Sequence, residues 1–246
     1  MVPVYKSATV RVVQVSVLGA VRNLESKICE DMGMTITTQT LAAMAEQAYE
    51  DDNRLWPAAD YPFLIRNATT DTVAWCCKFG DEIVIAFRGS DSVQDWLGTN
   101  ADILMTECGL GMAHAGFVRA ARSVMQDVLW YINATKPTQI HLTGHSLGGA
   151  LAVVMAERLL GQNIAPERLD VVTFGCPRVG DETFRKSLSK VNIVQYVRRG
   201  DPVPNMPPEA AGYRHAVVAQ LYTKRDVSID NDTAGHSMTQ YRRDFE

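Results

Sequence analysis

The 246-residue sequence lacks the features that mark several large classes of protein. Its net charge of −4, with lysines and arginines scattered, excludes the basic surface that general nucleic-acid binding requires. It has no run of roughly 18 apolar residues, so no transmembrane helix is predicted. It also has no low-complexity tract, internal repeat or Pro/Gly-rich linker that would divide it into several domains. A chain with 46% hydrophobic residues can still bury a substantial core, so these absences leave one globular domain.

Paired cysteines are also lacking. The five cysteines are odd in number and have no C-x-x-C spacing, while Cys76 and Cys77 are adjacent in a strand-like run whose side chains alternate between faces. This pattern predicts buried, reduced thiols without a disulfide framework. His141 and His145 have the four-residue spacing of zinc ligands on a helix, but they span a strand and a turn, so no metal site is predicted.

The order of the predicted elements indicates the fold class. Apolar periodicity predicts helices over 38–49 and 115–131 and a hairpin of Thr72–Phe79 with Glu82–Phe87. Strands and helices then alternate, which indicates parallel strands covered by helices on both faces, the α/β class. These later elements are strands at 139–143, 169–174, 191–197 and 213–222, and helices at 147–160, 181–188 and near His236.

The strongest chemical signal is Gly144-His145-Ser146-Leu147-Gly148, which lies where a buried strand passes into a helix. In this context a G-x-S-x-G match predicts a sharp turn that exposes a nucleophilic serine, Ser146, at the edge of the sheet. The helix beginning at Leu147 offers unpaired N–H groups to an oxyanion. The alternative is a glycine-rich turn without chemistry.

A serine nucleophile needs a base and an orienting carboxylate, which follow it in the order Asp or Glu, then His. Sites form beyond the carboxyl ends of strands, where Asp201 follows the predicted strand 191–197 and its rival Asp181 follows strand 169–174, whereas Asp170 begins its strand and lies at the wrong end. Asp201 is favoured because it stands two strands beyond the serine and Asp181 only one.

Two downstream histidines are candidates for the base. His236 follows the loop-like Asp232-Thr233-Ala234-Gly235, which suits a catalytic group, and it is favoured. His215 lies within a predicted strand, where histidines are commonly only packed.

Several segments, in one order along the chain, resemble the class 3 lipases, the fungal-type triacylglycerol lipases of the α/β-hydrolase fold. The resemblance runs from about residue 37 to 241 and implies a domain over 34–246, with residues 1–33 as an N-terminal extension. Its matching segments are Phe87-Arg88-Gly89-Ser90, His114-Ala115-Gly116-Phe117, residues 144–149, residues 175–181, Asp201-Pro202-Val203-Pro204, and His236 with Tyr241.

The resemblance implies a catalytic triad of Ser146, Asp201 and His236, with Ser90 completing the oxyanion hole beside Leu147. It implies no metal or organic cofactor, and a lipid or ester substrate met at an oil–water or membrane interface.

The resemblance also places a lid over about 91–105. Val93, Trp96 and Leu97 have i, i+3, i+4 spacing, so a short helix could cover the serine in water and turn outward at a lipid surface. An ordinary surface helix packed on the core is the alternative.

We therefore predict a serine hydrolase that cleaves acylglycerol esters. The alternatives are a phospholipase A1, an esterase for aromatic-acid esters, or a catalytically silent hydrolase scaffold. Residues 10–21 resemble a signal peptide only weakly, because Arg11 and Gln14 interrupt the apolar run. A cytoplasmic location is accordingly expected in preference to secretion.

Overall fold

The computed structural model describes residues 35–50, 60–90, 103–217, 221–222 and 233–246. Within these residues, seven strands form a sheet in the order β1-β2-β3-β6-β7-β8-β9, and β4 and β5 form a separate hairpin. The strands are β1 (Asp60–Asn67), β2 (Thr72–Phe79), β3 (Glu82–Phe87), β4 (Met105–Cys108), β5 (Gly111–His114), β6 (Gln139–His145), β7 (Leu169–Phe174), β8 (Asn192–Val197) and β9 (Leu221–Tyr222).

The helices are α1 (Thr38–Gln47), α2 (Ala115–Thr135), α3 (Leu147–Leu160), α4 (Glu182–Ser187) and α5 (Met238–Arg243). Single 3₁₀ turns occur at Pro166–Arg168, Val203–Asn205, Glu209–Ala211 and Thr233–His236. α1 begins where the Thr37 hydroxyl accepts the Thr40 N–H at 3.2 Å, a side-chain N-cap. α2 continues past its predicted end at residue 131 because Ile132 is also buried.

The sheet is mostly parallel. β1, β2 and β3 pair antiparallel, whereas β3, β6, β7, β8 and β9 pair parallel. In this register Phe87 aligns with Gly144, His145 with Phe174, and Phe174 with Tyr196. The carboxyl ends of the parallel strands therefore meet along one side of the sheet, the carboxyl edge.

Helices cover both faces, as the sequence predicts. α2 and α3 bury the larger core against one face, with fully buried Ile85, Leu142 and Val153 among its members. α1 packs on the other face against β3 and β6 and also contacts α5. The two layers leave β6 almost completely buried, so the backbone at its carboxyl end is held from both sides.

The observed elements differ from the sequence expectations in three places. Of the predicted strand over 213–222, Leu221–Tyr222 is a paired strand, whereas residues 213–217 make only an isolated bridge, through Arg214. The antiparallel strand β1 and the β4–β5 hairpin were not predicted. The four described cysteines are buried and free, which confirms the expectation of reduced thiols for them, while Cys29 lies outside the described residues.

Candidate active site

Ser146 lies between the last residue of β6 and the first residue of α3, with φ of 57° and ψ of −127°. A residue other than glycine adopts such a conformation at a cost of about 1–3 kcal/mol, which the surroundings must offset. The Ser146 N–H donates to the Phe174 carbonyl at 3.0 Å, and the Ser146 carbonyl accepts the Gly149 N–H at 3.0 Å. The sharp strand-to-helix turn that the motif predicts is therefore present at the carboxyl edge.

Two glycines beside Ser146 are required by close approach of the backbone. A Cβ at Gly144 would lie 2.4 Å from the carbonyl carbon of Gly148. A Cβ at Gly148 would lie 2.2 Å from the carbonyl oxygen of Phe87, the last residue of β3. Any side chain at either position would separate α3 from the ends of β3 and β6.

Asp201 and His236 form a buried hydrogen-bonded pair. Nδ1 of His236 lies 2.9 Å from Oδ1 and 2.8 Å from Oδ2 of Asp201, whose side chain is fully buried. Because an ionised carboxylate only accepts, Nδ1 carries the proton in this bond. The Val203 N–H donates to Oδ1 at 2.9 Å, so the backbone following Asp201 also fixes its carboxylate.

Tyr241 is a third donor to Asp201, a role that the sequence reasoning missed. Its hydroxyl donates to Oδ2 at 2.7 Å and accepts the Arg198 N–H at 2.9 Å. Burial, together with the charge of Asp201 and this hydrogen bond, raises the pKa of Tyr241 well above its usual value, so the phenol stays protonated. Its position five residues after His236, in the last matching segment, is the only sequence signal that could have identified it.

Gly175 lies against both Asp201 and His236. Its φ is +58°, and a Cβ there would lie 2.8 Å from Oδ2 of Asp201 and 3.1 Å from Nδ1 of His236. Only a glycine fits both the left-handed conformation and the close approach of the pair.

His236 makes no hydrogen bond to Ser146 through Nε2 in this structure. Nε2 of His236 is buried and has no hydrogen-bond partner among the described residues. The ring of His145, the residue before Ser146, lies 4.4 Å from the ring of His236 between centroids. In ligand-free hydrolases such a catalytic hydrogen bond is often long and shortens only when substrate binds.

The rival acids and the rival base have other partners. Asp181 is the N-cap of α4, where its Oδ1 accepts the Phe184 N–H at 2.7 Å. Asp170 accepts hydrogen bonds from Gln139 and Asn192 near the opposite ends of the strands. Burial lowers the pKa of His215 to about 4, and the charge of Arg178 acts in the same direction.

The two predicted oxyanion donors flank the Ser146 turn. Leu147 is the first residue of α3, where N–H groups lack an acceptor within the helix and carry its partial positive charge. Ser90 is half-buried beyond the end of β3. A Cβ on the preceding residue, Gly89, would lie 2.8 Å from the His145 carbonyl oxygen, so the Ser90 backbone follows a segment that contacts the turn.

Val93, Trp96 and Leu97, the predicted lid residues, lie outside the described residues. The chain is described again from Ile103 and Leu104, which are 51% and 62% exposed, and Met105 already belongs to β4.

His141 and His145 do not converge on a common ligand position. His141 Nε2 lies 2.7 Å from Glu82, whereas His145 Nδ1 lies 2.8 Å from the Tyr49 hydroxyl. Within the described part of the chain, no group of three or more His, Cys, Asp or Glu side chains is arranged to hold a metal ion. The helices described here include none that is long and apolar enough to cross a membrane.

Residues 84–211 match the model of the family Lipase (class 3). The chain is 37% identical to secreted mono- and diacylglycerol lipase 1 of Fusarium solani, over 54% of this chain and 42% of that protein. It is 32% identical to a lipase of Rhizomucor miehei, over 59% of this chain and 44% of that protein. The match spans less than half the length of both curated relatives.

Solved structures of lipases share the fold. A triacylglyceride lipase of Rhizomucor miehei aligns with a TM-score of 0.65 at 24% identity, covering 75% of this chain and 78% of that one. A structure described as a triacylglycerol lipase with a serine protease triad aligns with a TM-score of 0.67 at 22% identity, covering 77% and 82%. The predicted α/β-hydrolase fold is thereby confirmed.

The expected cytoplasmic location is wrong. The relatives from Fusarium solani and Penicillium cyclopium are both named as secreted lipases. Residues 10–21, on which that expectation rested, lie outside the described part of the structure.

Proposed function

Because the chain belongs to the class 3 lipase family, we propose that it is a secreted serine ester hydrolase that cleaves acylglycerols. The observation that carries this proposal is the buried Asp201–His236 pair, whose imidazole lies 4.4 Å between ring centroids from His145, the residue directly before Ser146. The names of the relatives support mono- and diacylglycerols as substrates to be tested beside triacylglycerols.

In the proposed mechanism His236 Nε2 takes the proton of Ser146 while the serine oxygen attacks the ester carbonyl. Asp201 holds the Nδ1–H tautomer and stabilises the imidazolium that forms. The N–H of Leu147 and the donors of Ser90 bind the tetrahedral oxyanion, each contributing about 3 kcal/mol to the barrier reduction. His236 then protonates the leaving alcohol, and water releases the fatty acid by the same steps.

The lipid-facing side of the site is part of the same proposal. We assign the lid to the part of residues 91–105 that precedes β4, with Val93, Trp96 and Leu97 as its apolar stripe. Ile103 and Leu104 are exposed at the point where this segment returns to β4 and would meet the lipid surface together with the stripe. Residues 34–246 would form the catalytic domain and residues 1–33 an extension to it.

A fluorophosphonate probe tests the nucleophile directly. The parent protein should be labelled at Ser146, as located by peptide mapping, and should hydrolyse emulsified acylglycerols. Ser146→Ala should be folded, unlabelled and inactive. Labelling at another residue, or hydrolysis by Ser146→Ala near the parental rate, would refute the assignment of Ser146 as the nucleophile. Faster hydrolysis of phosphatidylcholine or of an aromatic-acid ester than of any acylglycerol would keep the mechanism and change the substrate.

A further inference from the structure

A second histidine packs against the proposed catalytic base. His145 ends β6, directly before Ser146, and is 4% exposed. Its ring centroid lies 4.4 Å from that of His236, with 34° between the planes, and 5.7 Å from that of Tyr241. The proposed acyl transfer gives this ring no role.

Tyr49 contacts the His145 ring through its hydroxyl. Its hydroxyl lies 2.8 Å from Nδ1 of His145, across a separation of 96 residues. The pair connects the turn after α1 to the end of β6. A Cβ at Gly89 would lie 2.1 Å from the Tyr49 hydroxyl oxygen, so the glycine there leaves room for this phenol.

The surroundings keep His145 neutral. Burial lowers its pKa well below the usual value, the charge of His236 acts in the same direction, and an interaction with the His236 backbone opposes both. Nδ1 lies within hydrogen-bond distance of the Tyr49 hydroxyl, and a hydroxyl that donates to Nδ1 leaves the proton of the neutral ring on Nε2.

We propose that Tyr49 and His145 form a positioning pair for His236, an inference that rests on the proposed function. The Tyr49 hydroxyl fixes the tautomer of His145, and the face of this neutral ring holds the His236 imidazole in the plane that joins Asp201 to Ser146. The hydrogen bond at Nδ1 alone would let the His236 ring rotate about it, and the face contact removes that freedom.

The neutrality of His145 matters at the moment when His236 accepts the Ser146 proton. The electron-rich face of a neutral ring tolerates an adjacent imidazolium, whereas a second cation at 4.4 Å would repel it. The pair therefore acts through His236, as a positioning pair.

Tyr49→Phe removes the hydroxyl and keeps the ring. Its matched control is Tyr213→Phe, because the Tyr213 hydroxyl likewise makes one part-buried hydrogen bond, to the backbone carbonyl of Ile103 at 2.9 Å. On p-nitrophenyl butyrate below its solubility limit, Tyr49→Phe should lower kcat about tenfold and change KM less than about twofold. Tyr213→Phe should keep the parental kcat when both are assayed well below their melting temperatures.

His145→Phe tests whether Tyr49 acts through His145. This variant should also lose about tenfold in kcat, and Tyr49→Phe combined with His145→Phe should be no slower than His145→Phe alone. If the kcat losses of the two single variants multiplied in the double variant, Tyr49 would act independently of His145, and the proposed positioning pair would be refuted.

A spectroscopic measurement separates this inference from the proposed function. The downfield NMR resonance of the proton between His236 and Asp201 should shift or broaden in Tyr49→Phe and remain parental in Tyr213→Phe. A parental resonance and a parental kcat in Tyr49→Phe would refute the positioning role while leaving the function intact. A parent protein that no fluorophosphonate labels would refute the function, and the resonance would still decide the positioning role.

Discussion

The carboxylate of Asp201 is the group whose replacement tests the proposed mechanism most sharply. Oδ1 accepts the Val203 N–H, Oδ2 accepts the Tyr241 hydroxyl, and both oxygens lie within 2.9 Å of His236 Nδ1. The amide of Asp201→Asn has only one acceptor oxygen. Because the Val203 N–H is a backbone donor that cannot turn away, the amide oxygen should take the Oδ1 position and the NH₂ group the Oδ2 position.

The amide nitrogen would then lie about 2.8 Å from Nδ1, where two N–H donors repel each other, and the amide oxygen at the 2.9 Å position is already bonded to the Val203 N–H. His236 should respond by moving its proton to Nε2, the tautomer that cannot accept the Ser146 proton. In serine hydrolases this loss of tautomer costs about 10⁴-fold in kcat, equivalent to about 5.5 kcal/mol of activation free energy. The Tyr241 hydroxyl also loses its acceptor, so the free energy of unfolding should fall by about 1–3 kcal/mol.

The assay is the hydrolysis of a short soluble ester, with thermal unfolding followed by circular dichroism to establish that each variant is folded. Asp181→Asn is the matched control, because asparagine caps a helix as well as aspartate does and the Phe184 N–H keeps an acceptor. Its kcat should be within about twofold of the parent. An Asp201→Asn enzyme that retains a tenth of the parental kcat while Asp181→Asn loses orders of magnitude would refute the reasoning and move the acid to Asp181.

The remaining predictions concern the turn, the glycine beside the pair, and the lid. Ser146→Gly should abolish hydrolysis yet raise the free energy of unfolding by about 1 kcal/mol, because glycine adopts φ of 57° without strain; an unchanged or lower melting temperature would contradict this. Gly175→Ala should lower kcat at least about 10²-fold by displacing Asp201 and His236, and parental activity in the folded variant would show that the pair tolerates a Cβ at 2.8 Å. Trp96→Ser should weaken the rise in activity as an ester passes from solution to droplets more than it weakens hydrolysis of the soluble ester. If the activity of the parent and of Trp96→Ser saturated smoothly through the solubility limit of the ester, the segment would be an ordinary surface helix and not a lid.

Elements governed by local interactions could be predicted from the sequence. The hairpin of β2 and β3 and the bounds of α3 and β7 agree with their predictions, because turn residues and apolar runs act within a few positions. β1 was missed because Pro62 and charged Asp60 and Arg66 obscure an edge strand. The run over 213–222 was misassigned because β propensity alone does not say whether a partner strand is beside it.

The same division holds for the site. The sequence by itself determined the Ser146 turn, because its glycines and the strand-to-helix change are adjacent in the chain. The predicted strand order favoured Asp201 over Asp181, and the loop before His236 favoured it over His215. Only the tertiary structure decided which groups hydrogen-bond to the residues around the site. The Tyr241 hydroxyl bonds to Asp201, 40 residues away in sequence, and the Tyr49 hydroxyl bonds to His145, 96 residues away. Such contacts depend on the register of the parallel strands and on how α1 and α5 pack over them. No local pattern encodes these distances, since each is fixed by the burial of side chains spread over the whole domain.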